Sequence, residues 1–203
     1  MLPTRQTRIQ RKNHIAILDA ALEVFSLQGF RGATLDEIAN VAQISKPNIL
    51  YYFTSKDAIY TALLTDLLAT WLDPLRAIDP EGDPITEIMT YLRCKLDLSR
   101  DFPRESRLFA NEIIQGAPRL KAVLETELKE LVDDKVKIFT IWMNAGKIAQ
   151  MHPVHLLFSI WSLTQHYADF DAQVQAVSGP SNSPHYADAW GFLELLFTKL
   201  LRP

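Results

Sequence analysis

Two groups of side chains in this 203-residue sequence have the types and spacing for recognition chemistry. The first is Ser45, Lys46, Pro47, Asn48, Tyr51 and Tyr52. Hydroxyls, an ammonium and an amide crowd about two helical turns, and these groups pair with phosphate oxygens and base edges of duplex DNA. Ile49, Leu50 and Phe53 are left to pack inward. The alternative for Tyr51 and Tyr52 is burial as core aromatics. The second group is Trp161 and Gln165, four apart and so neighbours on one helical face. An indole stacks on a flat ring and an amide pairs in its plane, which suits a small, flat, polar ligand. Trp71 and Phe109 are further candidate walls. The alternatives are plain core for Trp71 and Phe109, and an interhelix or dimer hydrogen bond for Gln165.

Other constellations carry less. His152, His155 and His166 have helical spacing that permits a metal, but no cysteine or acid pair completes a site. They read as cap and interface histidines, so neither metal nor cofactor is expected. Glu112, beside Asn111 and Arg107, is a carboxylate without a nucleophile. The charged run Glu125, Glu127, Lys129, Glu130, Asp133, Asp134, Lys135 and Lys137 reads as a solvated helix face. There is no glycine-rich phosphate loop and no catalytic serine motif. The expectation is a binding protein, not an enzyme.

The elements that must position these residues are helical throughout. Ile15, Leu18, Leu22 and Phe25 mark a first helix, stopped by Gly29. Thr34-Leu-Asp-Glu37 is a capping box opening a short second helix to about Ala42. Ser45 starts a third to about Phe53, with Pro47 tolerated in its first turn. These proportions are those of a helix-turn-helix. Ser55 caps a long fourth helix, with Ile59, Leu63, Leu67 and Trp71 recurring until Pro74. Further helices are expected from Asp83-Pro84 to about Arg100, up to Gly116, over 119–144, from Pro153 to about Phe170, and from Ser183-Pro184 to about Leu201. Residues 171–183 read as a looser connection. The expected fold is all-α, with about nine helices: a DNA-binding unit over 1–56 and a helical bundle over 57–203.

Charge is divided between these parts. Residues 1–56 carry seven Lys/Arg against four Asp/Glu, and the remainder is acidic. Arg5, Arg8, Arg11 and Lys12 open the chain without an acid among them, so a polyanion should meet the head alone. The single cysteine, Cys94, excludes an internal disulfide. No signal segment or membrane span is evident, so the cytoplasm is expected. From Pro153 to Ala168 there is no Asp, Glu, Lys or Arg. A helix without a charged face is buried on several sides. One side is assigned to the bundle interior and the other to a second subunit.

The run GFRGATLDEIANVAQISKPNILYYFTSKDAIYTALL resembles the DNA-binding domain of TetR-type regulators. The resemblance implies that Thr34, Ser45, Tyr51 and Lys56 touch backbone phosphates, with Lys46, Pro47, Asn48 and Tyr52 in or beside the major groove. Gln43 stands where that pattern has glycine. If the turn needs φ > 0, it costs about 1 kcal/mol. The stretches DLSRDFPRESRLFANEIIQGAPRL and HLLFSIWSLTQHYADFDAQVQAVSG are similar to the C-terminal domain of the pyrimidine-utilisation (Rut) regulators. That implies a homodimer on a palindromic DNA operator, released by a pyrimidine such as uracil or thymine bound near Trp71, Trp161 and Gln165. Two other readings stay open: a ligand-independent DNA-binding dimer, and an enzyme using the bundle cavity.

Overall fold

A computed structural model describes residues 8–179 and 185–203. The expected start of the last helix, Ser183-Pro184, and the basic Arg5 lie outside the described residues. All regular structure among the described residues is helical.

Helix α1 (Arg8–Gly32) buries Ile17, Leu18, Ala21, Leu22 and Phe25 along one side. Ile15 is exposed: it lies in line with Leu22, at the edge of a buried face centred near Ala21, roughly 120° away around the helix. Gly29 breaks the helix at φ 69° and ψ 172°, and a last turn continues to Gly32. Helix α2 (Leu35–Ala42) opens on the capping box. The Glu37 amide donates to Thr34 Oγ1 at 3.2 Å, and the Thr34 amide to Glu37 Oε2 at 2.8 Å. Gln43 ends it in the left-handed region, φ 54° and ψ 36°. Helix α3 (Lys46–Tyr52) is anchored by Ile49, with Phe53 buried just after it. Leu50 is exposed, contrary to expectation, because a helix this short rests on one face only.

Helix α4 (Lys56–Arg76) is capped by Ser55 Oγ, which accepts from the Ala58 amide at 3.0 Å. It does not stop at Pro74 but passes through it for two more residues. Proline there removes one helical hydrogen bond, and the end is secured from outside. Lys135 Nζ donates to the carbonyls of Arg76 (3.1 Å) and Ile78 (3.0 Å). Lys135 is therefore buried, not part of the solvated charged face. Carbonyls left over at a helix C-terminus favour a cation.

Helices α5 (Pro84–Asp101), α6 (Pro103–Ile114), α8 (Lys129–Asn144), α9 (Pro153–Asp169) and α11 (His185–Leu201) make the body. Before α8 come a short α7 (Lys121–Val123) and a π-helical stretch, Leu124–Leu128, so the expected single helix over 119–144 is interrupted. The expected loose connection holds helix α10 (Asp171–Ser178). Two apolar clusters form. One joins α1–α3 to the first half of α4 and to Leu108, Ala117 and Leu120; the other lies among α5, α8, α9 and α11. Helix α6 touches both the head, through α1, and the body, through α9.

Candidate DNA-reading face and effector cavity

The outer side of α3 presents Ser45, Lys46, Pro47, Asn48 and Tyr51 to solvent, and Thr34 is exposed at the start of α2. Tyr51 is 70 % exposed. Tyr52 is half-buried, packs against the head core, and its hydroxyl accepts from Asn13 Nδ2 at 3.1 Å. Lys46 pairs with Asp36 of α2 at 2.9 Å, an exposed ion pair of small energetic weight. Lys56 stands apart. Its ammonium donates to the carbonyls of Phe30 (2.7 Å) and Ala33 (2.6 Å) and lies over the Phe30 ring. Two of its three N–H donors thus close the end of α1, leaving one for other use.

Head and body meet around Arg119. Its guanidinium reaches Asp57 of α4 (2.8 Å) and Glu112 of α6 (3.3 Å), and stacks on Phe30, 3.8 Å from the ring centroid. Glu112 is almost fully buried and also accepts from the Arg119 amide at 2.8 Å. Its carboxylate is consumed by this joint. A cleft of about 930 Å³ opens beside it, between the end of α1 and α6.

Within the body a cavity of about 690 Å³ brings together Trp71 of α4, Phe109 of α6, and Trp161 and Gln165 of α9. Trp71 meets Phe109 edge to face, with centroids 5.0 Å apart. Trp161 Nε1 donates to Tyr91 Oη at 2.6 Å. Sequence reasoning missed Tyr91 and Lys95 of α5 and Asp169 at the end of α9, which line the same space. Desolvation holds the Tyr91 phenol above its ordinary range. Ser106 Oγ donates to Asp169 Oδ1 at 2.5 Å, and burial raises that carboxyl nonetheless. Arg107 Nη1 donates to the Ala168 carbonyl at 3.2 Å. Helix α9, free of charged residues up to Ala168, turns Leu157, Thr164 and Ala168 inward, while His155, Phe158, Ser162 and His166 are exposed. Helix α11 adds an unforeseen apolar strip, with Phe192, Leu195, Leu196 and Leu200 exposed to one side of the buried Ala189, Leu193 and Phe197.

Among the described residues no cluster of His, Cys, Asp and Glu is arranged to hold a metal, and no helix is long and apolar enough to cross a membrane.

Residues 17–63 match the bacterial regulatory proteins of the tetR family, and residues 64–203 match the C-terminal region of YcdC-like proteins. The HTH-type transcriptional regulator RutR of Escherichia coli K12 is 49 % identical over 164 residues, covering 81 % of this chain and 77 % of that one. The chain belongs to the TetR family. It is a DNA-binding transcriptional regulator. The SCO4942 protein of Streptomyces coelicolor shares the regulator's fold, with a TM-score of 0.72 at 23 % identity over 94 % of this chain and 99 % of that one. So does AibR, solved with isovaleryl coenzyme A and operator DNA, with a TM-score of 0.62 at 18 % identity over 77 % and 85 %.

Proposed function

We propose that the protein is a one-component repressor in which residues 1–56 read a palindromic operator and residues 57–203 bind an effector and dimerise. It works in the cytoplasm, and the effector is bound stoichiometrically and not consumed. One observation carries this reading: Trp71, Phe109, Trp161 and Gln165, far apart in sequence, line a single cavity of ligand-binding size. The likeness to pyrimidine-utilisation regulators supports a pyrimidine base such as uracil or thymine as effector. Thr34, Ser45, Tyr51 and the spare donor of Lys56 hold phosphates. Lys46, Pro47 and Asn48 enter the major groove, with Tyr52 at its edge. The exposed apolar stripe of α11 and the outer face of α9 form the two-fold interface. Dimerisation sets the two heads about 34–36 Å apart, one turn of DNA.

A thermal-shift screen of nucleobases, nucleosides and their breakdown products, followed by operator release with any hit, tests this. A pyrimidine base should raise the melting temperature and release DNA. Gln165→Ala should abolish the response and leave operator affinity intact. No shift with any member of the screen, or turnover of the hit, would refute the reading.

A further inference from the structure

Lys95 is the unexplained group of the effector cavity. It lies in the middle of α5, only 5 % exposed, and lines the cavity wall. Among the described residues its ammonium meets no hydrogen-bond acceptor and no carboxylate at ion-pair distance. The closest favourable contact is the Trp71 ring, 5.2 Å from Nζ to centroid. A cation buried in this way is strongly unfavourable unless something pairs with it. Burial pushes its pKa down to about 8, and Asp169 is the charge that opposes the shift.

Asp169 lines the same cavity and feels Lys95 in return. The two do not touch, so they form a divided ion pair: a donor and an acceptor with space between. Tyr91, one turn before Lys95, already accepts from Trp161 and keeps its own proton to give. The Gln165 side chain makes no hydrogen bond within the described residues, so its amide is also open.

We infer that Lys95 and Asp169 together read the amide edge of a cyclic amide or imide, with a ring carbonyl on Lys95 Nζ and the adjacent ring N–H on Asp169. The inference rests on the effector reading above. A lactam ring sets acceptor and donor side by side, which is the complement of the divided pair. Both contacts are charge-assisted and therefore stronger than neutral ones. Trp71 and Trp161 cover the ring, and Gln165 takes a second amide edge. An apolar ring leaves Lys95 unpaired. A carboxylate satisfies Lys95 but faces the negative charge of Asp169.

The test uses the full-length protein, thermal shift and titration calorimetry. The probes are uracil, 1,3-dimethyluracil (carbonyls kept, N–H lost) and uracil-6-carboxylate. Wild type should bind uracil and discriminate against the dimethyl form. Lys95→Met should melt at or above the wild-type temperature without ligand, because an unpaired buried charge is gone. It should bind uracil about 30-fold more weakly. Asp169→Asn should weaken uracil in the same direction. Unchanged uracil affinity in Lys95→Met, equal binding of the dimethyl form, or tighter binding of the carboxylate would each overturn the inference while leaving a pyrimidine effector in place. If wild type ignores uracil but binds 2-pyridone or hydantoin in a Lys95-dependent way, the pyrimidine reading fails and the inference stands. If none of these rings binds, both fail.

Discussion

Lys95 and Lys135 are both buried lysines of the body, and they differ in one respect. Lys135 donates to two carbonyls at the end of α4; among the described residues Lys95 finds no acceptor, only the Trp71 ring. Desolvation lowers both, Lys95 to about 8. The sign of the consequence follows from linkage. Between pH 8 and the ordinary lysine range near 10.5, the unfolded chain binds the proton that folded Lys95 has lost, so stability rises with pH. The carboxylate across the cavity from it, Asp169, keeps its charge over that window. Tyr60 and Tyr186, pushed up to about 12, oppose the rise only above about pH 10, where unfolded tyrosines ionise. Without effector, chemical denaturation should show a gain on the order of 2 kcal/mol between pH 7 and 10, and Lys95→Met should remove most of it, leaving the smaller share of Lys135. A flat profile in wild type would show that Lys95 is already paired. None of this was legible in the sequence. Arg93-Cys94-Lys95 reads as an ordinary charged helix segment, and only the packing of α9 across α5 removes Lys95 from water. Trp71, Phe109, Trp161 and Gln165 could be picked out as candidates from their residue types and the four-residue spacing of Trp161 and Gln165, and the structure brings all four to one cavity.

Elements with local signals were readable and those shaped by packing were not. Thr34 and Glu37 announce α2, and the Gln43 turn adopts the positive φ that its place after α2 implied. The π-helical stretch Leu124–Leu128 carries an ordinary helical sequence, yet it widens the turn that sets Leu124 and Leu128 on the cavity wall. Helix α10 was missed for a related reason: its apolar residues form no buried stripe. At the same scale, the two lysines of the head should separate. Lys46→Ala removes an exposed charge from the proposed DNA-reading face, so the slope of log affinity against log salt should fall by about one, with melting unchanged. Lys56→Ala opens the bonds that close α1 and should lower the melting temperature as well. A normal melting temperature in Lys56→Ala would show that those bonds contribute little.

The proposed two-fold assembly rests on a surface that the sequence concealed. The apolar residues of α11 fall on two stripes, and composition alone does not say which one a second subunit covers. The structure buries Ala189, Leu193 and Phe197 and leaves Phe192, Leu195, Leu196 and Leu200 outside. Introducing Phe192→Glu and Leu195→Glu together places charge at the centre of the proposed interface. Sedimentation should then show a monomer, with operator affinity lost and effector binding retained. A dimer that survives both changes would move the interface to another face.

The way α4 is held at its two ends has a mechanical consequence. Lys135 clamps the carbonyls beyond Pro74, while the far end carries the whole head. Pro74, lacking the N–H that would bind it to the preceding turn, is the natural fulcrum. Trp71 stands three residues from it and Lys56 eighteen, so at about 1.5 Å per residue the lever has a ratio of about six. On the proposed function, a ligand that displaced the indole by about 0.5 Å would swing the near end of the head by about 3 Å, enough to lift the proposed phosphate contacts out of hydrogen-bonding range.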